Sequence, residues 1–193
     1  MRNMAVLLSG SGRTLDNFHE RISQGSMAAR IEVVISNNAA ALGLEKARNY
    51  GYPAHYAADN AAINAVLIRY SVDLISLAGY LKLYTPPPAL RRAVLNIHPA
   101  LIPSFCGPGF YGHHVHEAVK ARGCTVSGCT VHFANEEYDA GPIVLQRCVN
   151  LGADDSPDDI AARVFAVECE TYPEAINLVD RLGVDYFWTR SGQ

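Results

Sequence analysis

The sequence predicts an α/β domain, a mostly parallel sheet with helices packed on both faces. Three observations lead there. Short β-rich apolar runs alternate with amphipathic helical patterns through the first half of the chain. Runs such as Ala5–Leu8 and Leu74–Ala78 are apolar or nearly so along their whole length, as strands covered on both faces are. The 193 residues, 49% hydrophobic and 18% charged, are enough for one large core.

The same composition excludes several classes. A net charge of −3 gives no basic excess, so a nucleic-acid partner is not expected. No apolar run approaches the roughly 20 residues that cross a bilayer, and no membrane partner is expected. Met1-Arg2-Asn3-Met4 before Ala5–Leu8 is superficially signal-like, but Ser9–Arg13 ends the apolar run too early for an h-region. A first strand and a cytoplasmic protein are the expectation. Cys106, Cys124, Cys129, Cys148 and Cys169 form no C-x-x-C pair, so reduced, mostly buried thiols are expected.

The elements follow in order. After strand Ala5–Leu8, Leu15, Phe18 and Ile22 recur at helical spacing in Thr14–Ser23. Strand Ile31–Ile35 leads to a helix through Ala39–Asn49, capped by Asn37 or Asn38 and stopped by Gly51-Tyr52-Pro53. A brief strand near His55, a helix near Ala61–Tyr70 and strand Leu74–Ala78 come next. Pro86-Pro87-Pro88 makes a rigid turn able to start a short helix. Val94–Ile97 is a buried strand ended by His98-Pro99, Pro103–Gly112 a loop, and His116–Ala121 a helix. Thr125–Phe133 and Ile143–Val149 pair as a hairpin. Ser156 caps the last long helix, with Ile160, Val164, Val167 and Tyr172 on one side. No repeat, low-complexity tract or linker divides the chain, so residues 1–193 are expected to form a single domain.

Three segments carry candidate chemistry. In Ser9-Gly10-Ser11-Gly12-Arg13-Thr14, glycines and a helix N-terminus offer backbone amides to an anion. Neither the Walker A nor the full G-x-G-x-x-G pattern is present, so a phosphate cradle and a plain tight turn both fit. Asn96 and His98, two apart at a strand's carboxyl end, project together where α/β sheets bind ligands. An amide stabilises a developing oxyanion, and an imidazole shuttles a proton. Asp139 sits in an acidic loop braced by Gly141-Pro142; beside His98 it would raise the imidazole's pKa. His113-His114-Val115-His116 lacks zinc spacing, and no metal is expected.

Together, AVLLSGSGRTL (Ala5–Leu15), VISNNAAALGLEKAR (Val34–Arg48), DLISLAGYLKL (Asp73–Leu83), LNIHPALIPSF (Leu95–Phe105), VSGCTVHF (Val126–Phe133) and YDAGPIVLQ (Tyr138–Gln146) resemble the phosphoribosylglycinamide formyltransferase family. The resemblance implies a Rossmann-like, mostly parallel seven-stranded sheet, the formyltransferase fold. It implies transfer of the formyl group of 10-formyltetrahydrofolate, a cosubstrate, to the amine of glycinamide ribonucleotide in purine synthesis, by a monomer or homodimer. By position, Asn96, His98 and Asp139 match the catalytic trio, and Gly12, Arg13 and Thr14 the phosphate-binding segment. Leu81, Lys82, Leu83, Tyr84 and the loop Asn135, Glu136, Glu137, Tyr138 and Asp139 match the folate site, which Asn96 also borders. Glu168 matches a glutamate that touches the ribonucleotide. On this reading Asp139 holds His98 protonated.

This chain departs from the family in places. Arg13-Thr14 replaces a common Ser-Asn, and Phe165 replaces a polar residue. The loop Cys106–His114 is longer than in the shortest members. The segment Ala57–Ser71 is short and lacks an arginine that some members place against the folate tail. The competing readings are a formyltetrahydrofolate hydrolase, which typically has an added N-terminal domain, and a non-catalytic folate- or nucleotide-binding module, which predicts a broken trio.

Overall fold

The structure is a computed structural model that describes residues 1–192. Its sheet has seven strands in the order β3-β2-β1-β4-β5-β6-β7. These are β1 (Arg2–Leu8), β2 (Ala29–Ser36), β3 (Ala54–Tyr56), β4 (Leu74–Leu77), β5 (Val94–His98), β6 (Val126–Phe133) and β7 (Ile143–Asn150). The first five run parallel, while β6 is antiparallel to both β5 and β7. The helices are α1 (Arg13–Ser23), α2 (Leu42–Asn49), α3 (Asn60–Leu67), α4 (His113–Ala121), α5 (Pro157–Leu182) and α6 (Val184–Ser191).

Alternation along β1 separates the two faces. Met4, Val6 and Leu8 join a core that includes Leu15 and Phe18 of α1, Leu44 of α2 and Tyr172 of α5. Ala5 and Leu7 face the other way, toward Ile63 and Leu67 of α3. Both layers bury apolar side chains against one sheet, which is why its central strands are mostly apolar on both faces. A smaller cluster joins Val115 and Val119 of α4 to Ile160 and Val164 of α5.

Several boundaries differ from expectation. The helix after Asn38 starts at Leu42, with Ala41 as an N-cap that makes no side-chain bond. Asn38 Oδ1 instead accepts from Ala40 N–H at 3.0 Å, and Asn37 Oδ1 accepts from Ser9 Oγ at 2.8 Å, so both asparagines hold the preceding turn. Helix α4 begins at His113 rather than His116. The proline run makes one 3-10 turn, Pro88–Leu90. Of the cysteines only Cys129 is buried, and Cys148 is exposed, so the mostly buried set is not found. Ser156 caps α5 as expected, with Asp159 completing a capping box.

Strands β1 to β3 run to one side of the sheet and β4 onward to the other. The crevice at the carboxyl ends of β1 and β4 is therefore a topological switch point, the usual ligand position in such sheets.

Candidate active site

One cavity of about 650 Å³ opens at that crevice, within the size range of small-molecule sites. Segments far apart in sequence wall it: the turn Gly10–Thr14, residues 77–84, Asn96–Pro99, loop 107–113, His132 and the segment around Asp139, and α5 near Phe165 and Glu168.

At its floor, β5 ends with Asn96 half-buried and His98 buried. Antiparallel pairing sets Asn96 directly opposite His132 of β6, and such pairs share a face. Asn96 Nδ2 donates to His132 Nε2 at 3.2 Å, and His132 Nδ1 donates to the Phe133 carbonyl at 2.9 Å. Asp139 lies between the two imidazoles, Oδ2 3.5 Å from His98 Nδ1 and Oδ1 3.5 Å from His132 Nε2. A loop closes the far side. Phe105 O accepts from His98 Nε2 at 2.8 Å, and Gly107 N–H donates to Asp139 Oδ2 at 2.9 Å.

Local backbone makes this possible. Asp139 has φ 58, a left-handed conformation that aspartate tolerates better than most residues. A Cβ on Gly141 would lie 1.9 Å from the Phe133 carbonyl oxygen, so only glycine lets the loop fold back on β6.

Electrostatics set the protonation states. Burial alone would push Asp139 up, but the contact with His132, the Gly107 amide and the His98 charge together hold it below the usual carboxylate value. For His98, burial lowers the pKa, and the raising influences of Asp139 and the Phe105 carbonyl do not offset it. The net shift of His98 is therefore downward, against the rise expected beside Asp139: desolvation of the cation outweighs the carboxylate's pull.

At the other end, Gly12 has φ 74 and is the N-cap of α1, with no side-chain cap. The first-turn amides are thus left without a side-chain partner. A Cβ at Gly12 would lie 2.8 Å from Gly43 Cα, so the turn can pack on α2 only with glycine there. The Arg13 guanidinium stacks 4.2 Å over the Phe165 ring. Phe165, apolar where a polar residue was expected, thereby carries the arginine. Burial raises the Glu168 carboxyl to about 7, even with Arg13 pulling it the other way.

The remaining expected residues divide. Leu81, Lys82 and Leu83 are exposed on the cavity wall. Leu81 N–H donates to Ser9 Oγ at 3.2 Å, fixing that segment beside β1. Tyr84 reaches the cavity but is buried, its hydroxyl donating to Asn64 Oδ1 at 2.7 Å. Asn135, Glu137 and Tyr138 line the wall. Glu136 does not; it is exposed, 4.0 Å from Arg91. His132 lines the cavity and was not singled out by sequence, and His116, weighed there only as a metal ligand, lines it too. The signal for His132 was its place in an alternating strand, but only the strand register reveals its partner Asn96.

Residues 2–176 match the family model described as formyl transferase. The chain belongs to the formyl transferase family. It is 40% identical over 187 residues to the phosphoribosylglycinamide formyltransferase of Haemophilus influenzae, covering 91% of this chain and 86% of that one. It is 38% identical over 190 residues to the chloroplastic phosphoribosylglycinamide formyltransferase of Arabidopsis thaliana, covering 92% of this chain and 65% of that one. It spans only 18% of the trifunctional purine biosynthetic protein adenosine-3 of Bos taurus. Its fold superposes with a TM-score of 0.83 on glycinamide ribonucleotide transformylase 1 of Symbiobacterium toebii, at 37% identity, covering 96% of this chain and 88% of that one. Among its described residues the chain contains no helix long and apolar enough to cross a membrane.

Proposed function

We propose that this protein transfers the formyl group of 10-formyltetrahydrofolate to the amine of glycinamide ribonucleotide, as one formyltransferase domain over residues 1–193. The supporting observation is the linked set Asn96, His132, Asp139 and His98 at the floor of a cavity with two unlike ends. The end with Gly12, Arg13, Thr14 and Glu168 suits a phosphorylated ribose. The end with Leu81, Leu83 and Tyr138, apolar and exposed, suits a flat pteridine ring. A cytoplasmic site of action belongs to the same reading.

The chemistry follows from the protonation states. The acceptor amine arrives largely as an ammonium, and the ionised Asp139 with neutral His98 takes its proton. The free amine then attacks the formyl carbon, and Asn96 Nδ2–H together with the new imidazolium stabilises the tetrahedral oxyanion. As the carbon–nitrogen bond to folate breaks, the folate nitrogen receives a proton from the pair. The attacking nitrogen gives up two protons between ammonium and formamide: the pair passes the first to folate, the second leaves the tetrahedral intermediate to solvent, and no covalent enzyme intermediate forms.

The deciding assay incubates the protein with 10-formyltetrahydrofolate, with and without glycinamide ribonucleotide. Folate product that appears only with the ribonucleotide supports the reading. Turnover indifferent to it identifies a hydrolase, and binding without turnover identifies a non-catalytic module.

A further inference from the structure

His116 is 94% withdrawn from solvent, at 6% exposure, yet it is one of the residues lining the cavity. Among the described residues neither of its ring nitrogens has a hydrogen-bond partner, and Nδ1 is fully sealed without one. Val115 and Val119, buried in the satellite core beside α5, hold α4 in place and fix the ring's position. An imidazole buried without partners costs stability, and such a group calls for a ligand or a function. The titratable neighbours that act on it are His113 on its own helix and His98 on β5. From α5, Val164 packs beside Val115 in the same cluster.

We propose that His116 contacts the ribonucleotide substrate, donating its Nε2–H to an acceptor oxygen of that molecule. The inference rests on the function proposed above. Burial pushes the His116 pKa down to about 4, helped by His113 and His98, so the ring is neutral near pH 7 and carries one N–H. A sealed N–H without an acceptor is rarer than a sealed lone pair. The proton therefore sits on Nε2, the nitrogen that keeps access to the cavity. The ribonucleotide is the partner because α4 packs on α5, which brings Phe165 and Glu168 to the same end. The apolar pteridine wall is built from other segments, 81–84 and 135–139.

Steady-state kinetics of His116→Leu and His116→Gln test this. The Leu variant keeps apolar packing and loses the donor. We expect its KM for the ribonucleotide to rise about tenfold or more, with the folate KM within about threefold of wild type. Gln retains an N–H donor and should recover part of that loss. In the wild-type protein, the His116 imidazole ¹⁵N–¹H signals should shift on adding the ribonucleotide without folate, a readout that needs no variant to fold. A ribonucleotide KM unchanged in folded variants, or an Nε2 signal that ignores the ribonucleotide, overturns the proposal. A folate KM that rises instead assigns His116 to the other substrate and also overturns it. Wild-type protein that never formylates the ribonucleotide fails the parent reading, and this one with it.

Discussion

Asp139 and Glu168 both line the cavity, and hydrogen-bond donors separate their chemistry. Asp139 has the Gly107 amide and two imidazoles around it and stays ionised. Glu168 has only the charge of Arg13 against its burial, and its carboxyl rises to about 7. Asp139→Asn keeps the volume and removes the proton acceptor, so kcat should fall about 10²-fold or more with ribonucleotide KM nearly unchanged. Steady-state rates across pH check it; near-normal kcat would reduce Asp139 to a loop residue. Glu168 has a folded pKa above its unfolded value of 4.5, so the unfolded chain ionises first. Stability then falls as pH rises from about 4.5 through about 7. Glu168→Gln removes that loss and should stabilise the protein by on the order of 1 kcal/mol at pH 8 and little at pH 5, while raising the ribonucleotide KM. Urea unfolding at the two pH values decides it; an equal effect at both would mean that the carboxyl ionises normally.

Among the elements, α5 and the β5–β6–β7 ladder show what a sequence carries and what it withholds. The start of α5 was legible because its cap is local: Ser156 Oγ accepts from Asp159 N–H at 3.2 Å, three residues away. Ser156→Ala should cost about 1 kcal/mol of stability and leave kcat alone, since the cap lies outside the cavity. The pairing of Asn96 with His132 was not legible, because register across 36 residues depends on packing that no local signal reports. The break at Gly183 that starts α6 also escaped notice; its φ of 82 belongs to the folded chain. Gly141 joins the two cases. Its neighbour Pro142 marked a turn, but only the fold shows the Phe133 carbonyl against it. Gly141→Ala should push the loop off β6, costing about 1–3 kcal/mol and lowering kcat together, because Asp139 moves with it. Loss of stability with kcat intact would show that Asp139 is held independently of this turn.

For the whole molecule, the alternation of strands and helices follows from hydrophobic periodicity, while the Rossmann-like topology was implied only by the resemblance, and the strand order with its crevice between β1 and β4 is seen in the fold. The sequence also put Asn96 and His98 on one face. It did not carry the downward shift of the His98 pKa, because that depends on how completely distant segments desolvate the ring. One of those segments is the loop that gives its Phe105 carbonyl to His98 and its Gly107 amide to Asp139. Its tip, with Tyr111 53% exposed, stands outside the core. A protease that cuts after Tyr111 severs a surface connection and leaves the strands paired. Circular dichroism and the melting transition should then survive while turnover disappears, and bound substrates should slow the cut. Persistent activity in the nicked protein would mean that Phe105 and Gly107 stay seated without chain continuity. On the proposed function, the link between fold and chemistry would then be severable, a point at which proteolysis silences turnover before it destroys the fold.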